Sequence, residues 1–164
     1  MQYKSIRALG VDFGEARIGL AITDDLRMLA HPLMTLDGRD PKVAGKIVQI
    51  AIEKDVQDIV LGLPRNMDGS YGPAAEKVQA FAALLREHIE RKFAECEYGG
   101  KKQRTGGNED MKCLHLWDER WTTMAAERVL RASGRKTKEY RGVVDQVAAQ
   151  VLLQSWVDAQ PPLS

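Results

Sequence analysis

Two apolar stretches separated by only three residues open the chain: residues 6–13 (IRALGVDF) and 17–23 (RIGLAIT), with Gly14, Glu15 and Ala16 between them. A link that short cannot carry a crossover, so two strands joined by it must pair antiparallel. Ile18, Leu20 and Ile22 alternate with smaller residues, the period of a strand. A third short strand is expected over residues 31–36. Beyond it the periodicity changes. Asp40 and Pro41 read as a helix start, with Asp40 as N-cap and Pro41 in the first helical position. Val43, Ala44, Ile47, Val48 and Ala51 follow at helical spacing.

Residues 58–62 (DIVLG) form a buried-type strand closed by Leu63 and Pro64. Pro73 opens a long helix whose expected apolar face is Ala74, Val78, Phe81, Ala82, Leu85 and Ile89. A further strand is expected over residues 113–117. Next comes a helix capped by Thr122 or Thr123 and carrying Ala126, Val129 and Leu130. A last helix follows, with Val144, Val147, Ala148, Val151 and Leu152 as its apolar face and Asp145 in its first turn. The order is three strands, then strands alternating with helices, which favours parallel pairing for the later strands. The expected fold is α/β: a five-stranded mixed sheet flanked by helices, three strands antiparallel and the others added in parallel beside the first. That is the RNase H-like layout.

The 164 residues make one domain, 1–164, long enough to bury a core. Residues 98–111 (YGGKKQRTGGNEDM) hold four glycines and three cations without periodicity, and read as a flexible inserted loop. A formal net charge of +1 gives no global signature of a nucleic-acid partner, so any such partner must be argued from local charge. Cys96 and Cys113 are the only cysteines and lie in no CxxC, which speaks against a thiolate zinc site and for reduced thiols. No stretch reaches the roughly 18 apolar residues of a membrane span. The first five residues lead almost directly into a strand, leaving no room for a signal peptide. The expected location is the cytoplasm, or an organelle interior if a transit peptide has been removed.

Three acidic residues fall where strands and helices should converge. Asp12 ends the first strand, Glu119 lies just beyond the 113–117 strand with Asp118 beside it, and Asp145 opens the last helix. Each has a plainer explanation: Asp12 can begin a turn, Glu119 can pair with Arg120 or face a helix N-terminus, and Asp145 can be an N-cap. Together they suggest more. Carboxylates gathered without a counter-ion repel one another, and divalent cations relieve that while creating a phosphoryl-transfer site. Mg²⁺ or Mn²⁺, in two copies, is the expected cofactor, with Asp118 as a further candidate ligand.

Competing motifs fail. Asp12-Phe13-Gly14 spells the kinase DFG but has no preceding ATP lobe. The glycines at 10, 14 and 19 do not make GxGxxG, and no Walker lysine is present. The phosphate-binding hairpin of actin-like ATPases also uses Asp-x-Gly after a first strand, but those enzymes clamp nucleotide between two domains. His31, His88 and His115 share no metal spacing. Trp117, Trp121 and Trp156 suit core or rim better than a base-stacking platform.

Four motifs carry a family resemblance: residues 10–19 (GVDFGEARIG), 60–70 (VLGLPRNMDGS), 118–123 (DERWTT) and 144–149 (VDQVAA). In this order, spread along nearly the whole chain, they resemble the YqgF (RuvX) family, described as Holliday-junction-resolvase-like proteins and pre-16S rRNA nucleases. The resemblance implies metal-ligand roles for Asp12, Glu119 and Asp145. It also implies structural or substrate-facing roles for Arg17, Asn66, Asp68 and Arg120. Two features depart from the family pattern: the stretch from about Arg91 to Met111 is long, and Trp121 is larger than the residue usual after DER.

Residues 131–141 (RASGRKTKEYR) hold five cations and one acid immediately before the helix bearing Asp145. They read either as a solvated connector or, through Arg135, Lys136 and Lys138, as a phosphate-binding segment. The expected activity is metal-dependent endonucleolytic cleavage of structured RNA, foremost precursor ribosomal RNA. The same chemistry on a Holliday junction in DNA is the close alternative. A non-catalytic RNA- or ribosome-binding module is the alternative of another class. The expected partners are structured RNA, branched DNA and ribosomal precursor particles, with no membrane, for a monomer or weak homodimer.

Overall fold

The computed structural model describes residues 5–66, 68–98, 113–118 and 137–161. Strand β1 (Arg7–Asp12) turns into β2 (Arg17–Thr23), which turns into β3 (Ala30–Asp37). Both pairings are antiparallel, as the short links require. Helix α1 (Val43–Glu53) returns the chain to β4 (Val56–Leu63), which lies parallel to β1. Helix α2 (Pro73–Tyr98) precedes β5 (Cys113–Asp118), parallel to β4, and helix α3 (Thr137–Ala159) follows. The sheet order is β3-β2-β1-β4-β5, the mixed five-stranded arrangement expected.

The sheet is covered on both faces, and strand alternation sorts residues between them. Leu9, Val11, Ile18, Leu20, Ile59 and Leu61 are fully buried and pack with α1 (Val43, Ala44, Ile47, Val48, Ala51) and α2 (Ala75, Val78, Phe81, Ala82, Leu85). On the other face Ala8, Ala21 and Val60 meet Ala149, Leu153 and Trp156 of α3.

Several expectations need correction. Helix α1 begins at Val43, with Lys42 as the flanking residue and no side-chain cap. Asp40 instead organises the turn ahead of it, accepting from the Lys42 amide at 2.9 Å and pairing with Lys46 at 2.5 Å. Those contacts, the Lys46 side chain first, hold its carboxyl below the usual range. Ala74 is exposed and Ala75 takes its place in the core, a shift of one position in the first turn of α2. Asp118 belongs to β5 itself.

The largest correction concerns α3. It starts at Thr137, so Asp145 lies more than two turns inside it rather than in its first turn. Residues 137–141 are therefore helix, not connector, and Lys138 is a helical residue. Five charged or polar residues in a row gave no apolar period to reveal this turn. Its buried face also extends beyond expectation to Ala149, Leu153 and Trp156, while Val144 and Val151 are only half-buried. The core reading of Trp156 holds. Residues 99–111 of the inserted loop and the helix expected after Thr122 or Thr123 lie outside the described residues.

Candidate active site

Two glycines let α3 sit unusually close to the sheet. A Cβ built on Gly10 would lie 2.8 Å from Leu153 Cβ, and one built on Gly19 would lie 1.9 Å from the backbone oxygen of Asp145. The second overlap is with main chain, which cannot rotate away, so only glycine permits this approach at β2. Gly19 is the register partner of Asp12 on β1. The helix thus presses the backbone of Asp145 onto the strand position directly beside Asp12. Alternation puts Asp12 on the same face as Ala8 and Gly10, the face that α3 covers. The fold brings these two candidate ligands together.

Arg17, the first residue of β2, joins them on this face. Its Nε donates to Asp145 Oδ2 at 2.8 Å, with the arginine side chain 43% exposed and the aspartate 21%. The residue after Asp145 also fastens the helix locally: Gln146 Nε2 donates to Thr35 Oγ1 at 3.1 Å, and Thr35 is the β3 partner of Gly19. Anchors on both sides therefore hold Asp145 in place.

Asp118 is placed differently. Leu114 and Leu116 of β5 pack on the α1/α2 side, and Trp117 on the α3 side. Alternation assigns Asp118 to the α1/α2 side, away from Asp12 and Asp145. One of its partners is Arg65, at 3.6 Å. Glu119, Arg120, Arg135 and Lys136 lie outside the described residues. Among the described residues no three metal-ligating side chains form a cluster. The two carboxylates that do share a face, Asp12 and Asp145, offer the hard oxygen donors that a small divalent ion takes.

Asn66 and Asp68 mainly organise their own loop. Asn66 donates from Nδ2 to Ser70 Oγ at 2.9 Å, and its backbone bonds both Ser70 and Gly69. Asp68 accepts from the Ser70 hydroxyl at 2.6 Å and amide at 2.8 Å, contacts that hold its carboxyl below the usual range. Gly69 sits at φ 87, where a side chain would be strained.

Sequence reasoning passed over Arg65, which does most to tie this loop to the sheet. Its Nε and one Nη donate to Gly69 O at 3.0 and 2.6 Å, another Nη reaches Asp118, and its guanidinium lies 4.8 Å from the Tyr71 ring centroid. The available signal was an arginine directly after a strand-closing Leu63-Pro64. A second cluster missed in sequence lies near the opposite end of β4. There Asp58 accepts from Arg27 and meets His115 Nε2 at 2.9 Å, and both partners lie beside the Trp156 ring.

The chain matches the family model described as "RuvX: Holliday junction resolvase" over residues 6–97 and 103–159. The unmatched residues 98–102 fall inside the stretch noted as long for the family. A protein of Streptomyces avermitilis is 39% identical over 155 residues, covering 94% of this chain and 86% of that one. One from Halothermothrix orenii is 33% identical over 159 residues, covering 96% and 99%. Both bear the name "Putative pre-16S rRNA nuclease". Among solved structures, T. thermophilus RuvC in complex with a Holliday junction substrate matches with a TM-score of 0.52 at 11% identity, covering 96% of this chain and 99% of that one. At that identity the likeness speaks for the fold alone. With four motifs in order and a family match along most of its length, this chain belongs to the RuvX family and carries its RNase H-like fold.

Proposed function

We propose that this chain is a divalent-metal-dependent nuclease that hydrolyses phosphodiester bonds in structured RNA, with the precursor of 16S ribosomal RNA as its substrate. The observation that carries the reading is the convergence of Asp12 and Asp145 across Gly19. It is supported by membership of a family whose relatives are named for this activity. A binding module has no need to bring two acidic residues to neighbouring positions on one face of the sheet.

Asp12 and Asp145 would hold the metal, Mg²⁺ or Mn²⁺, with Glu119 as the third ligand. Bound there, it would supply Lewis acidity and a water of lowered pKa. The chain's own residues do the rest. Before substrate arrives, Arg17 offsets the charge of Asp145. Its exposed guanidinium then turns to a phosphate oxygen of the substrate, a planar fork well matched to that group. Arg120, Arg135, Lys136 and Lys138 contribute phosphate contacts that position the strand without reading its sequence.

The test is to incubate the protein with precursor 16S rRNA and with a four-way DNA junction, in Mn²⁺ or in EDTA, and map the cuts. Discrete metal-dependent cuts at the ends of the precursor support the reading. Cuts confined to the junction would transfer the substrate to DNA, and tight binding of either with no cuts would return the chain to a binding role.

A further inference from the structure

We propose that Tyr71 is a stacking platform for an unpaired nucleobase at the sheet edge where Asp12 lies. The proposal rests on the nuclease reading and extends it to how substrate is held.

Tyr71 is 55% exposed, in the loop that leaves the C-terminal end of β4. An aromatic ring so open gains little from the core and invites a planar partner. Its orientation is fixed from beneath by Arg65, whose guanidinium carbon lies 4.8 Å from the ring centroid. Arg65 is itself immobilised by two bonds to Gly69 O. The loop around it is closed by the Asn66–Ser70 and Asp68–Ser70 bonds. The platform is therefore built before a ligand arrives, which spares the ordering cost of binding.

Its position is specific. Strands β1 and β4 run parallel, so the loop bearing Tyr71 leaves the sheet at the same edge at which β1 ends in Asp12. Aromatic stacking accepts any base, because every base has a π face. This suits recognition of single-stranded RNA flanking a helix, where bases are free to splay. Arg65 adds positive charge beneath the ring, where a base on the opposite face completes a three-layer stack.

The test uses two RNA hairpins in EDTA, one blunt and one with a single-stranded tail carrying 2-aminopurine at successive positions. With the parent, and with Tyr71→Phe and Tyr71→Trp, one tail position should show altered 2-aminopurine fluorescence. Tyr71→Leu, which keeps bulk but loses the π face, and Tyr71→Ala should abolish that signal. They should weaken binding of the tailed hairpin by roughly 5- to 150-fold and leave the blunt one unchanged. Equal tailed-hairpin affinity in parent and Tyr71→Leu overturns the platform but leaves the nuclease reading intact. Equal loss on both hairpins in Tyr71→Leu shows loop damage and also overturns it. A parent that binds neither hairpin removes the nuclease reading and the platform with it.

Discussion

The two faces of the sheet are built from different materials. Toward α1 and α2 the strands present Leu9, Val11, Ile18, Leu20, Ile59 and Leu61, all fully buried, and two helices share the cover. Toward α3 the same strands present Ala8, Gly10, Gly19 and Ala21, with Asp12 and Arg17 at the rim. Large side chains hold helices away from a sheet and fill the gap with dispersion contacts. Small ones let a helix descend until backbones touch, which trades apolar burial for accurate placement. Among the described residues the first face buries the larger apolar cluster, and the second sets where Asp145 stands relative to Asp12.

Substitutions can break that contrast. The largest effect is expected from Gly19→Ala, whose methyl must displace the main chain of Asp145. It should destabilise by about 3 kcal/mol or more, the upper end for overpacking. It should also lower kcat by about 100-fold, since displacements near 1 Å are costly in a positioned site. Denaturant melts and single-turnover cleavage read the two separately. Leu61→Ala, on the large-residue face, should also cost about 3 kcal/mol. The protein that remains folded should cleave at the parental rate, and a matching loss of kcat would show that the two faces are not separable.

Arg17→Gln should do least. Its ion pair with Asp145 is half exposed and worth on the order of 1 kcal/mol or less after solvent screening. The variant should bind Mn²⁺ up to about fivefold more tightly by calorimetry, because Asp145 loses a competing cation. Its affinity for RNA should fall, with a salt slope flatter by about 0.7 to 0.9 for one lost phosphate contact. Weaker Mn²⁺ binding would mean that Arg17 only orients Asp145.

Much of this division was legible in the sequence, and the part that was not has a physical reason. Strand β2 could be bounded to the residue, because Ile18, Leu20 and Ile22 alternate and the links on either side are short. The antiparallel pairing of β1, β2 and β3 followed from the short links alone. The start of α3 was hidden because Thr137, Lys138, Glu139, Tyr140 and Arg141 show no apolar period. Asp12 and Asp145 were identifiable as candidates, yet what joins them was not: Gly19 looks in sequence like any small residue between two isoleucine- and leucine-bearing positions. Its meaning appears only when α3 is seen resting on it. Arg65 and the Asp58–His115–Arg27 cluster escaped for a similar reason, since each depends on partners brought from distant strands or loops.

The proposed nuclease depends on Asp12 and Asp145, brought together across Gly19, holding a catalytic metal. Calorimetric titration of Mn²⁺ into parent, Asp12→Asn and Asp145→Asn, each checked for an unchanged fold by denaturant melting, tests it without substrate. Both variants should stay within about 1 kcal/mol of the parent's stability, since the Arg17–Asp145 pair weakened in Asp145→Asn is partly exposed. Each should bind Mn²⁺ at least tenfold more weakly. Parental Mn²⁺ affinity in either variant would contradict it.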